Sequence, residues 1–154
     1  FCQVLHHSRT SLYRLAFSIT RNSSDAQEAV AEAVCRAYER YPQLREKEKL
    51  PRWLLKITAN EARRLCQRRG RTVSLDDLPT EPAIPGRETG DDTLWQAVQT
   101  LPRDQREAVV LFYYEDLPTE EIARIVGTSP GAVRVRLSRA REKLRSILKE
   151  GDYG

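Results

Sequence analysis

Between Thr72 and Asp92 the chain interrupts its own pattern: Pro79, Pro82, Pro85, Gly86 and Gly90 fall among acids, with few large apolar residues. Proline removes a backbone donor and glycine loses the most entropy when ordered, so no regular element of useful length crosses this stretch. On either side, apolar residues recur every three or four positions, the period of a helix. The expected fold is therefore all-α: two small helical domains, residues 1–71 and 93–150, joined by a flexible linker over 72–92. A local linker contact is expected through Val73, Leu75 and Leu78. With 154 residues in all, each module buries only a modest core.

In the first module, three helices are expected from about Ser8 to Arg71. Leu12, Leu15, Ala16 and Ile19 mark one that ends near Arg21 and Asn22. Ser24 or Asp25 is expected to cap the next, with Gln27 or Glu28 three residues on. That second helix has an apolar stripe of Ala26, Ala29, Val30, Ala33, Val34, Ala37, Tyr38 and Tyr41, and Pro42 stops it. Its other face carries Glu28, Glu32, Arg36, Glu39 and Arg40. Pro51 suits the first turn of the third helix, which is expected to bury Trp53, Leu54, Ile57, Ala62 and Leu65 and to end at Gly70. The second module starts with Asp92 or Thr93 as a cap, then Leu94, Trp95, Val98 and Leu101. Pro102 opens the helix that follows, through Ala108, Val109, Leu111 and Phe112.

Net charge is only +4, but its distribution is uneven. Arg52, Lys56, Arg63, Arg64, Arg68, Arg69 and Arg71 stand against Glu61 alone, and Arg134, Arg136, Arg139, Arg141, Lys143, Arg145 and Lys149 against Glu142 alone. Between them, Asp76, Asp77, Glu81, Glu88, Asp91 and Asp92 oppose Arg87. Solvated helix faces usually mix both signs, so two segregated basic blocks point to two contacts on a polyanion.

The most informative span runs from Thr119 to Arg145. Thr119 caps a short helix with Ile122, Ala123 and Val126; Gly127 breaks it; Thr128 and Ser129 cap again and Pro130 opens a last helix. A short helix, a tight glycine turn and a basic second helix make a helix-turn-helix, and Ala123 is small where the two helices cross. On the last helix Val133, Leu137, Ala140 and Leu144 point inward. At about 100° per residue, the opposite face presents Val135, Ser138, Arg139 and Glu142, flanked by Arg134 and Arg145. Arg139 is the expected bidentate guanine reader, and Val135 packs on a thymine methyl. Arg136, Arg141 and Lys143 are expected to meet phosphates, as are the amides of Ser129, Gly131 and Ala132 at the helix start.

The stretch Leu101-Pro102-Arg103-Asp104-Gln105-Arg106-Glu107, then Glu121-Ile122-Ala123, then Gly131-Ala132-Val133-Arg134-Val135-Arg136-Leu137-Ser138-Arg139-Ala140-Arg141-Glu142-Lys143-Leu144, resembles region four of extracytoplasmic-function (ECF) sigma factors. The first half is similar to region two of that family through Leu12-Tyr13-Arg14-Leu15-Ala16, Asp25-Ala26-Gln27-Glu28, Arg36-Ala37-Tyr38 and Trp53-Leu54-Leu55-Lys56-Ile57-Thr58-Ala59-Asn60. The resemblance implies a sigma factor that directs core RNA polymerase to promoters, with the last helix reading the −35 element. It implies that the second helix, through Asp25, Glu28, Glu32, Arg36 and Glu39, docks on the clamp of the largest catalytic subunit, while region four meets the flap of the second-largest. By the same resemblance, the third helix and the loop before it open and hold the −10 element, through Lys47, Lys49, Arg52, Lys56, Asn60, Arg63 and Arg64. A basic helix suits tracking of a strand backbone, and an adjacent loop suits an unstacked base. An anti-sigma factor is implied as a restraining partner. The acidic linker, by analogy, runs through the RNA exit path.

The chain departs from the family pattern at Glu46-Lys47-Glu48-Lys49-Leu50, where relatives carry an aromatic with Gly and Ser, so the family's −10 preference does not carry over. Ala31 stands where Gln is usual, and Val34 and Cys35 replace bulkier apolars, so weaker clamp binding is expected.

No Gly-rich phosphate loop, metal-spaced cluster or Ser-His-Asp set is present, so no catalysis and no cofactor are expected of the chain itself. Cys2, His6 and His7 are a poor zinc set, lacking paired spacing. Cys2, Cys35 and Cys66 are expected to be reduced, buried thiols, and the protein to be cytoplasmic with no membrane contact of its own. The start, which lacks a Met and is read as trimmed, is too short and polar for a signal peptide. The competing readings are a stand-alone helix-turn-helix regulator, which would bind its operator without polymerase, and a pure interaction protein, which would show no dependence on DNA.

Overall fold

The structure is a computed structural model that describes residues 1–69 and 92–151. The Gly70 stop, most of the acidic linker and its contact through Val73, Leu75 and Leu78 lie outside the described residues. The described elements are helices and tight helical turns, with no strand. The chain divides into two units between Ala83 and Ile84.

Unit 1 is a three-helix bundle of α1 (Cys2–Thr20), α2 (Ser23–Arg40) and α3 (Leu50–Arg69). Helix α1 begins well before the expected start near Ser8. Its polar first turns are tied down where the Phe1 ring meets Tyr38 and Tyr41 edge-on at 5.7 and 5.2 Å. Arg21 ends it in the left-handed region (φ 56°), donating its N–H to Phe17 O at 2.7 Å. The cap of α2 is Asn22, not Ser24 or Asp25: its side-chain oxygen accepts the Asp25 N–H at 2.9 Å, satisfying an orphan donor of the first turn. Asn22→Ala should therefore cost unit 1 about 1 kcal/mol in thermal unfolding. Ser24→Ala, on an exposed position, should cost close to nothing.

The buried face of α2 is four alanines, Ala26, Ala29, Ala33 and Ala37. They let α2 lie close to the larger side chains of its neighbours, Leu12, Leu15 and Phe17 on α1 and Leu54 and Leu65 on α3, all buried. The wider expected stripe is not buried throughout. Val30 and Val34 are half-buried, and Tyr38 is 67% exposed. Pro42 turns the chain as expected, within a 3-10 turn over Tyr41–Gln43; a second such turn, Lys47–Lys49, leads into α3. Trp53, expected in the core, is half-buried and lines a surface cavity of about 260 Å³ with Arg40, Gln43, Leu44 and Arg45.

Unit 2 consists of α4 (Asp92–Gln99), α5 (Arg103–Val109), α6 (Thr119–Val126) and α7 (Pro130–Gly151). Pro102 is the cap position of α5. Pro118 holds that position for α6, so Thr119 is the first helical residue and not the cap. The core is Trp95, Val98, Leu101, Leu111, Ile122 and the inward stripe of α7. Helix α5 does not simply end. It widens into a π-helical turn over Val110–Tyr114, where the Glu115 N–H reaches Val110 O at 3.2 Å.

The cysteines form no disulfide, and none is fully buried. Cys2 and Cys35 are exposed, Cys35 because it falls opposite the alanine face of α2, and Cys66 is half-buried. His7 donates from Nδ1 to Gln3 O at 2.8 Å, within α1. Among the described residues no three metal-ligating side chains converge, and no helix is long and apolar enough to cross a membrane.

Candidate nucleic-acid interface

The turn between α6 and α7 is built from backbone requirements. Gly127 takes φ 78°, and its N–H and that of Thr128 both reach Ala123 O, at 2.8 and 3.0 Å, closing the end of α6. A Cβ at Gly127 would meet nothing within 4 Å, so the demand for glycine there is conformational and not steric. Ala123, at 4% exposure, sits under this turn. Ser129 then starts α7 by accepting the Ala132 N–H on its hydroxyl at 3.1 Å and the Val133 N–H on its carbonyl at 3.1 Å. The Ala132 amide, expected to face a phosphate, is therefore already engaged by the cap.

Val133, Leu137, Ala140 and Leu144 are all buried. Arg134, Val135, Ser138, Arg139 and Glu142 are all exposed, so the two faces separate as the 3.6-residue period requires. The flanks differ from each other. Arg136 is half-buried and lies 3.8 Å from the Asp104 carboxylate of α5, so part of its charge is already opposed. Arg141 is exposed and donates from Nε to the Tyr113 hydroxyl at 2.7 Å. Lys143 and Arg145 are exposed.

In unit 1, Arg52, Lys56, Asn60 and Arg64 are exposed at four-residue spacing and so share one stripe of α3, with half-buried Arg63 beside it. Several of these groups are engaged within the fold. Arg63 donates to Asn60 at 3.3 Å, and Arg64 pairs with Glu61 at 2.6 Å. In the loop, Lys47 bonds Tyr41 O at 2.6 Å and lies 4.0 Å from the centre of that ring, while Lys49 pairs with Glu46 at 2.8 Å.

The expected clamp-facing set divides in two. Asp25 and Glu28 both pair with Arg69 of α3, and Arg36 meets the Glu61 carboxylate at 2.7 Å. These contacts fasten α2 to α3. Glu61 is only 6% exposed and receives both Arg36 and Arg64, a cross-link that the sequence pattern did not single out. Glu32, 3.7 Å from Arg36, and Glu39 are exposed, next to an outward strip of Ala31, Cys35 and Tyr38.

Two family models match the chain: Sigma-70 region 2 over residues 4–72 and Sigma-70, region 4 over residues 91–144. The RNA polymerase sigma factor SigV of Bacillus subtilis is 32% identical over 146 residues, covering 94% of this chain and 88% of that protein. The ECF RNA polymerase sigma factor EcfG of Rhodopseudomonas palustris is 32% identical over 143 residues, covering 90% and 79%. The sigma factor RpoE of Bartonella quintana, solved in complex with the anti-sigma factor NepR, superposes with a TM-score of 0.80 at 28% identity, covering 97% of this chain and 96% of that one. With both regions matched in order and relatives at 32% identity matched over 88% and 79% of their length, the chain belongs to the extracytoplasmic-function family of RNA polymerase sigma factors.

Proposed function

We propose that residues 1–71 act as region two, residues 93–150 as region four, and residues 72–92 as the connection between them. In this reading α7 enters the major groove of the −35 element. Arg139, Arg134, Val135 and Ser138 face base edges; Arg141, Lys143 and Arg145 face phosphates. Arg136 joins them after exchanging Asp104 for a phosphate. The α3 stripe of Arg52, Lys56, Asn60, Arg63 and Arg64, with Lys47 and Lys49 before it, follows the strand at −10. Helix α2 docks on the polymerase clamp through Glu32, Glu39 and the strip of Ala31, Cys35 and Tyr38, while Asp25, Glu28 and Arg36 hold α2 in place for it. The protein works in the cytoplasm, supplies no catalysis itself, and is restrained by an anti-sigma factor, as the Bartonella relative is seen bound to one.

The observation that carries this reading is the clean division of α7 into a buried apolar stripe and an exposed basic face behind a glycine turn. Co-purification with bacterial core RNA polymerase, then run-off transcription from a library randomised at −35 and −10, tests it. Stable association with a two-element consensus among the transcripts is expected. High-affinity DNA binding without polymerase, and no association with it, would assign the chain to stand-alone regulators instead.

A further inference from the structure

The π-helical turn Val110–Tyr114 carries something the −35 reading does not account for. By inserting one residue into the helical ladder it turns Tyr113 outward, 48% exposed, against Phe112 in an edge-on contact of 4.9 Å. Such turns are uncommon and concentrate at functional positions. The side chain they meet is Arg141 of α7. Its Nε donates to the Tyr113 hydroxyl at 2.7 Å, and its guanidinium carbon lies 5.8 Å from the centre of each ring.

We infer that Tyr113 is a positioning residue for promoter binding: it and Phe112 hold Arg141 with its terminal amines set towards a phosphate of the −35 strand. Three observations carry this. Arg141 stands seven residues, close to two turns, after Arg134, so the two share a flank of α7 beside the reading face. Its partners are a neutral phenol and two ring faces, which order the side chain and leave its positive charge whole. Arg136, on the other flank, is opposed by the Asp104 carboxylate. Finally, a single bond at Nε leaves the two terminal amines in the fork geometry that suits phosphate oxygens, while the rotamer freedom of a long arginine is already spent.

The inference rests on the −35 reading, and the test separates the two. Holoenzyme is reconstituted from core polymerase and the full chain, and binding to one promoter selected from the library is followed against salt. If wild-type holoenzyme forms no −35-dependent complex, the −35 reading falls and this inference with it. Given that complex, Arg141→Ala should lower the salt slope by about 0.9, the contribution of one phosphate. Tyr113→Phe, which keeps the ring and removes only the hydroxyl, should weaken binding about threefold, equally on matched and mismatched −35 sequences. In the Arg141→Ala background the same change should do nothing more. Arg141→Lys should keep the salt slope yet lose all sensitivity to Tyr113→Phe, since lysine offers no Nε donor. A threefold loss that persists in the Arg141→Ala background, or an unchanged slope in Arg141→Ala, overturns the assignment. Retained helicity and an unchanged unfolding midpoint in Tyr113→Phe exclude a fold defect as the source of its effect; a lowered midpoint that accounts for the whole loss overturns it.

Discussion

Trp95→Ala is expected to unfold unit 2 and leave unit 1 standing. Trp95 is fully buried, meets Tyr114 edge-on at 5.4 Å and is among the largest side chains in its core. Truncating a buried tryptophan costs about 3–5 kcal/mol, because the cavity left behind closes only in part. A unit of about 60 residues holds roughly 3–9 kcal/mol in total, so this one change removes most or all of its stability. The chain has two tryptophans, and in the variant Trp53 alone reports. Denaturant titration followed by Trp53 fluorescence should keep its wild-type midpoint, while far-UV helicity falls by the share of unit 2. Core polymerase binding should survive through α2, and −35-dependent transcription should be lost. A Trp53 midpoint that falls too would mean that the two cores share their stability.

Arg139→Ala is expected to have the largest effect on promoter choice. An arginine bidentate to guanine discriminates by about 1–3 kcal/mol, so binding should weaken by that amount and tolerance should rise at a single −35 base pair. Lys143→Ala, one turn further along and off the reading face, should weaken every promoter alike and reduce the salt slope by about 0.9. Selection of each variant against the randomised library reads both outcomes. If the two substitutions shift matched and mismatched promoters equally, the division of α7 into base-reading and phosphate-facing residues is wrong.

Much of the architecture was legible in the residues because it depends on local rules. The helical period, Pro42, Pro51, Pro102 and Pro130 at helix ends or starts, and Gly127 in the turn each act within a few residues of themselves. The stripe of Val133, Leu137, Ala140 and Leu144 required only that one face of a helix be apolar. Boundaries that depend on a distant partner were read less well. Helix α1 runs to Cys2 because Phe1 finds Tyr38 and Tyr41, far along the chain. The cap of α2 fell to Asn22 among four adjacent polar candidates, any of which suits the motif.

The candidate sites divide on the same line. Which residues of α7 and α3 lie outward followed from spacing, because exposure on a lone helix face is a property of the period. What those outward charges are already doing did not follow. Tertiary packing brought Arg69 to Asp25 and Glu28, Arg36 to the buried Glu61 carboxylate that Arg64 also meets from one turn along α3, and Arg136 to Asp104. Asp25, Glu28 and Arg36 of the expected clamp set, Arg64 of the expected −10 set and Arg136 of the expected −35 set are therefore engaged within the fold by these ion pairs alone. The π-helical turn is the clearest case, since it adds one residue to a helix whose apolar period gives no sign of it, and the meeting of Tyr113 with Arg141 exists only once α7 has packed across α5. The sequence by itself determined two helical modules, a helix-turn-helix and its outward face, since these follow from periodicity and backbone chemistry. The tertiary structure alone decided which charges are spent and which remain for DNA or polymerase, because a charge is opposed only by groups that folding brings within a few ångströms.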